Sequence, residues 1–167
     1  MTETAPARQR LIEWQDPRLT AVKATQMNGM DFFRAWFSGE VPAPPIGVLM
    51  GFGLQEVADG RITFTMQPAE YHFNPIGTVH GGVIATILDS AMSCAVHTKL
   101  PVGGGYTTLE IKVNYIRPIL ADSGELHCTG QVIHMGRRSA TAEGKLVGTD
   151  GKLYAHGTAT CMVFLPE

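Results

Sequence analysis

The sequence has 167 residues, 44% of them hydrophobic and 17% charged, with a formal net charge of −2 and a pI near 6.3. That is enough chain for one domain with a substantial core, and a slightly acidic balance gives neither nucleic acid nor an anionic membrane a reason to bind. No apolar run is long enough to span a bilayer, and Cys94, Cys128 and Cys161 lack the even count and CxxC spacing of a disulfide framework or zinc site, so a reduced, cytoplasmic setting is expected.

Residues 1–17 read as a loose leader without the apolar stretch of a signal peptide. From Arg18 to Phe37 the apolar residues Leu19, Val22, Met27, Met30, Phe33, Trp36 and Phe37 recur at helical spacing. One or two amphipathic helices are expected there, with Asp31 as a cap candidate for the second. The run Glu40-Val41-Pro42-Ala43-Pro44-Pro45 stops helix and forms a stiff connector. Two strand-like segments, IGVLMGFGLQEV and RITFTMQP, then flank Ala58-Asp59-Gly60, a hairpin signal.

The stretch Tyr71–Thr98 opens as a loop, turns through His80-Gly81-Gly82 and continues as a helix apolar almost all round. Such a helix belongs inside a sheet or an interface. With histidine neutral, its one charged side chain is Asp89, and a lone carboxylate there is costly unless paired or used. After the Gly103-Gly104-Gly105 break, Tyr106–Tyr115 alternates: Leu109, Ile111, Val113 and Tyr115 on one face, Thr108, Glu110, Lys112 and Asn114 on the other. Three more strand-like runs follow, the last two joined by an Asp150-Gly151 turn. The expected order is two strands, one long buried helix, then four strands in an antiparallel meander.

This order, together with Asn74-Pro75-Ile76-Gly77-Thr78-Val79-His80-Gly81-Gly82, Asp89 nine positions after His80, and TTLEIKVNYIRP at 107–118, resembles the hotdog-fold acyl-CoA thioesterases of the phenylacetate-degradation (PaaI-type) family. The resemblance spans about residues 45–165. It implies an α+β hotdog fold: an antiparallel sheet of five to six strands wrapped around one long central helix. The expected division is an N-terminal helical extension and Pro-rich connector over 1–44, and a hotdog domain over 45–167. It also implies an acyl-CoA substrate, no cofactor beyond the substrate's own coenzyme A moiety, and no metal. A homodimer with a site across its interface is implied, and a tetramer made of two such dimers.

Residue chemistry gives this resemblance a mechanism to test. The first amides of a helix lack intrahelical partners and sit at the positive end of its dipole, so the Gly81 N–H is an oxyanion donor for a thioester carbonyl. Asp89 lies eight residues on, roughly 12 Å at 1.5 Å per residue, too far to serve a carbonyl held at its own Gly81. Either the two residues are unrelated, or Asp89 serves the Gly81 of a second subunit; the resemblance favours the second. Asp89 would then act as general base toward water or attack the thioester carbon itself.

By the same resemblance Asn74 orients the water or thioester, His80 stands beside the thioester, and Thr108 orients the acid or water. The plainer readings are a loop-bonding Asn74, a capping His80 and a Thr108 chosen for strand propensity. Arg137 and Arg138, and similarly Arg117, are candidates for coenzyme A phosphates through forked hydrogen bonds. The rival functions are a non-catalytic acyl-CoA sensor, which the non-basic N-terminal segment disfavours as a DNA binder, and a hotdog enoyl-CoA hydratase. No GxSxG elbow, metal-ligand spacing or phosphate-cradling loop supports another chemistry.

Overall fold

The computed structural model describes residues 6–166. A six-stranded antiparallel sheet, in the order β1-β2-β4-β5-β6-β3, bends around one long helix. The strands are β1 (Phe52–Ala58), β2 (Arg61–Met66), β3 (Gly105–Tyr115), β4 (Leu126–Met135), β5 (Ser139–Gly148) and β6 (Leu153–Phe164). The central helix, α4, is Gly81–His97. Only β4, β5 and β6 form the expected meander. β3 crosses to the far side and pairs with β6, so β1 and β3 are the two edges. Among the described residues no helix is long and apolar enough to cross a membrane.

The core lies between α4 and the concave face of the sheet. Ile84, Ile87, Leu88, Ala91, Met92, Ala95 and Val96 turn toward the strands and are buried. Contact is close: a Cβ on Gly130 would stand 2.1 Å from the Ala91 carbonyl oxygen, so β4 approaches the helix backbone as only glycine allows. The opposite stripe of α4, carrying Thr86, Asp89 and Ser90, is half-buried, and Gly82 on it is exposed.

Before the sheet come α1 (Pro17–Gln26), α2 (Gly29–Phe37) and α3 (Pro45–Met50). The cap of α2 is Asn28, whose side-chain oxygen accepts from the Asp31 N–H at 2.9 Å, rather than Asp31 itself. The expected strand from Ile46 begins instead at Phe52. Pro45 opens a helix at a position where its missing N–H costs nothing, and Gly51, at φ 68°, closes it in the left-handed region. Helix α1 buries no residue and leaves Leu19 and Val22 exposed.

Helix α2 is docked firmly. Phe32 and Phe33 are buried against His97 in the last turn of α4, with ring centroids 5.1 Å apart in both pairs, and Tyr106 closes the cluster at 5.3 Å. Phe32 and Phe33 of the N-terminal extension are therefore core, Trp36 packs against it, and Phe37 stays exposed. His97 is 8% exposed, and burial pushes its imidazole down to about 4. Burial also lowers His72, although a hydrogen bond to Met50 opposes the shift.

These neutral histidines have a consequence for acid stability. Below pH 6.5 the unfolded chain binds protons that folded His97 refuses until pH falls to about 4. The stability this ring contributes is complete above 6.5, falls by up to about 1.4 kcal/mol per pH unit between 6.5 and 4, and levels off below. Urea midpoints measured across that window should show this decline, and His97→Phe should flatten it, leaving the smaller slope due to His72.

Candidate active site

The loop entering α4 is built by its own polar side chains. His72, in a short 3-10 turn at Glu70–His72, accepts the Ala69 N–H at Nδ1 (3.2 Å), which places the proton on Nε2 for donation to the Met50 carbonyl at 3.0 Å. Asn74 takes the N–H groups of Ile76 (3.1 Å) and Thr78 (3.2 Å) on its side-chain oxygen and donates from Nδ2 to the Thr78 hydroxyl at 2.9 Å. The amide is thus engaged in the turn it starts. His80 caps α4, its Nδ1 accepting the Gly82 N–H at 2.8 Å.

With Gly82 satisfied by His80, and Val83 and Ile84 bonded to the His80 carbonyl, the Gly81 N–H is left free among the described residues. The Gly81 carbonyl accepts the Tyr115 hydroxyl at 3.0 Å. That bond fixes the first peptide of the helix against β3, at the rim of a recess of about 330 Å³ also lined by Thr78 and Arg117. The Arg117 guanidinium bonds the Leu153 carbonyl. In the sequence Tyr115 falls on an apolar strand face, within the 107–118 stretch, with no role of its own. Its tyrosine identity was the available signal, since a hydroxyl at the end of such a face needs a partner.

Asp89 projects from the half-buried stripe of α4, where the Thr108 hydroxyl donates to its Oδ1 at 2.9 Å. The alternation read from sequence put Thr108 with Glu110, Lys112 and Asn114. A β-bulge between Thr108 and Glu110 breaks that phase. Thr108 pairs with Cys161, and Ile111 with Ala159, so both face the helix, while the bulged Leu109 is 57% exposed. Simple period-two counting carries no sign of an extra residue.

Beyond the carboxylate lies a pocket of about 210 Å³ walled by Phe64, Ser93, Cys94, Tyr106 and, from the N-terminal extension, Trp36. Burial pushes the Cys94 thiol up to about 12, so it stays protonated at neutral pH and is no nucleophile. Asp89 is the carboxylate in this pocket, and no nucleophile–histidine pair accompanies it. Gly81 and Asp89 occupy the same helix, roughly 12 Å apart along its axis. The arrangement offers a carboxylate in one place and a free helix-terminal amide in another.

Arg137 and Arg138 stand apart from both, exposed at the β4–β5 turn beside an open recess of about 640 Å³ shared with Phe164 and Leu165. Among the described residues no group of three or more His, Cys, Asp or Glu side chains is placed to hold a metal ion.

Comparison with known proteins adds a second line of information. Residues 76–155 match the family described as the thioesterase superfamily. Mouse acyl-coenzyme A thioesterase 13 is 30% identical over 114 residues, 68% of this chain and 80% of that protein. A Halobacterium salinarum relative carrying an esterase name is 30% identical over 99 residues, 56% of this chain; the chain spans 64% of its length. Among solved structures, the phenylacetic acid degradation-related protein of Ralstonia eutropha is 30% identical, with a TM-score of 0.71 over 78% of this chain and 98% of that one.

The loop geometry makes its own prediction. Asn74→Ala removes two accepted N–H bonds and one donated bond, each worth about 1 kcal/mol net. Amide hydrogen exchange at Ile76 and Thr78 should accelerate at least tenfold, with the sheet amides unchanged.

Proposed function

The chain belongs to the thioesterase superfamily, and from that premise we propose that it hydrolyses the thioester of an acyl- or aryl-acyl-coenzyme A to free acid and coenzyme A, at sites shared between two subunits. The observation that carries this reading is the Thr108-held carboxylate of Asp89 at the mouth of a mainly apolar pocket, on a helix whose first amide is free. Thr108 occupies Oδ1 and leaves Oδ2 for the reaction, either to take a proton from water or to bond the thioester carbon. The Gly81 N–H stabilises the oxyanion that forms on the carbonyl, where a preorganised donor is worth several kcal/mol. His80 and Asn74 act by holding the loop that presents this amide, and Tyr115 by fixing the peptide that follows it, through the Gly81 carbonyl.

The helix length supports a dimer. One carbonyl cannot meet an amide and a carboxylate that far apart on a single α4, so the Gly81 of one protomer serves the Asp89 of its partner. Two features of the single chain favour such pairing: the half-buried stripe of α4, and the eleven-residue edge of β3, which bonds only β6. A long unpaired edge is a template for another strand, and a two-fold axis would bring two copies of the same edge together. Association of two such dimers into a tetramer follows the family expectation.

Arg137 and Arg138 are the proposed contacts for coenzyme A phosphates, exposed and forked as such contacts require. Arg117, beside the Gly81 recess, is a further one. The free thiols of Cys94, Cys128 and Cys161 fit a reducing cytoplasm. Neither metal nor organic cofactor is required by this chemistry.

Two variants test the shared site. Asp89→Asn should lower acyl-CoA hydrolysis by roughly a hundredfold or more without loss of fold. Gly81→Pro removes the N–H at a helix position that accepts proline, after a His80 already extended at ψ 137°. The Tyr115 ring must yield slightly, since a Cβ there would lie 3.2 Å from it. Each variant alone should be nearly inactive. Unfolded and refolded together, they should recover roughly a quarter of wild-type activity, because half the dimers are mixed and each mixed dimer holds one intact site. No recovery on mixing would place amide and carboxylate in unrelated roles.

A further inference from the structure

The carboxylate end of the pocket belongs to the stretch that matches the family, residues 76–155. The walls facing it do not: Trp36 comes from α2, Gly47 from α3 and Phe64 from β2. Trp36 is held in place by Phe64, with ring centroids 5.7 Å apart, and by Phe33 at 5.9 Å. Phe33 in turn is anchored on His97, so this wall is part of the packed core rather than a loose flap.

Size decides what fits. A cavity of about 150 Å³ lined by apolar side chains holds one benzene molecule, so about 210 Å³ admits a group of ring size with a short spacer, or a comparably small aliphatic chain. Along α4 the pocket runs from Asp89 to Cys94, roughly 7.5 Å at 1.5 Å per residue. A palmitoyl chain is far longer than that. Gly47, the glycine of this wall, has unused room: a Cβ there would meet nothing nearer than the Pro44 Cγ at 3.9 Å, although the residue is buried.

We propose that the N-terminal segment ending in α3 sets the acyl-group size of this enzyme, with Trp36 as the end wall and Gly47 as the side wall, and restricts it to compact acyl groups. The inference rests on the thioesterase reading above and adds the substrate class. Binding of a hydrocarbon tail is governed by the volume left to it, and one methylene too many or too few is worth roughly 10- to 200-fold in discrimination. The chemistry and the size limit therefore come from different parts of the chain.

The test is a profile of kcat/KM over acetyl-, butyryl-, hexanoyl-, octanoyl-, lauroyl- and palmitoyl-CoA, with phenylacetyl-CoA as the aryl member, for wild type, Gly47→Leu and Trp36→Leu. Gly47→Leu places a stronger helix former in α3, so a melting temperature at or above wild type shows that it is folded. Wild type should peak at or below octanoyl. Gly47→Leu should lower the octanoyl-to-acetyl ratio roughly tenfold or more, and Trp36→Leu should raise the lauroyl-to-hexanoyl ratio by a similar factor. Equal turnover of palmitoyl- and hexanoyl-CoA by wild type overturns the inference while leaving the thioesterase reading intact. So does a wild-type profile in folded Gly47→Leu. Hydrolysis of no substrate at all defeats the thioesterase reading itself. The size limit is then read from melting-temperature shifts with the corresponding free acids: stabilisation by hexanoate but not palmitate upholds it, and any other pattern ends it.

Discussion

Everything in this structure depends on how closely the sheet closes on α4. Where β4 passes Ala91 there is no room for a Cβ on Gly130, and at Gly144 of β5 a Cβ would lie 2.9 Å from the Met92 side chain. A helix gripped that tightly along one side cannot rotate or slide without backbone collisions. Its other side is therefore presented in a fixed orientation, and Asp89 inherits its position from the helix rather than from a loop. Sites built on rigid elements hold their geometry better than sites on loops. The carboxylate then needs only one further constraint, the hydroxyl of Thr108.

The entry to the same helix is fixed differently. Here short polar side chains replace packing: Asn74 ties its turn, His72 ties the turn to α3, and His80 takes the second amide of α4. Each satisfies backbone groups that a tight loop would otherwise leave without partners. What remains is one amide, on a residue without a side chain, at the positive end of a helix dipole. The motif that looks chemical in sequence is in large part a device for leaving that single N–H free.

The sequence carried the helix with its lone acid, the hairpins at Asp59-Gly60 and Asp150-Gly151, and the family likeness, because these rest on composition and short-range spacing. What it carried poorly depends on events one residue wide or on distant partners. The stretch 46–50 looked like strand because it is apolar, yet Pro45 and Gly51 impose a short helix. The place of β3 beside β6 is a choice of pairing partner that no local pattern records. Among the candidate site residues, Asp89, Gly81 and Thr108 stand out in the sequence as types at a spacing. For Asn74 the sequence leaves both readings open, because an asparagine that orients a ligand and one that orients its backbone are written alike, and the structure shows the second. Tyr115 and Trp36 are read as apolar positions for a similar reason: their specific contacts depend on a partner across the fold.

The bulge at Leu109 is the smallest of these features and has wide reach. It acts as a phase shifter within β3. On one side of it the strand presents Tyr106 and Thr108 to the pocket, and on the other it presents Ile111, Val113 and Tyr115 to the core and the helix entry. Both halves face inward, but they are no longer bound to a common alternation. The part of the strand that serves the carboxylate and the part that serves the helix N-terminus are thus decoupled in register while remaining one continuous ladder with β6. Deleting the exposed Leu109 would restore plain alternation and leave Thr108 opposite Cys161, still facing the helix. What the extra residue adds is a local bend and twist between the half of the strand that meets the carboxylate and the half that meets the helix entry.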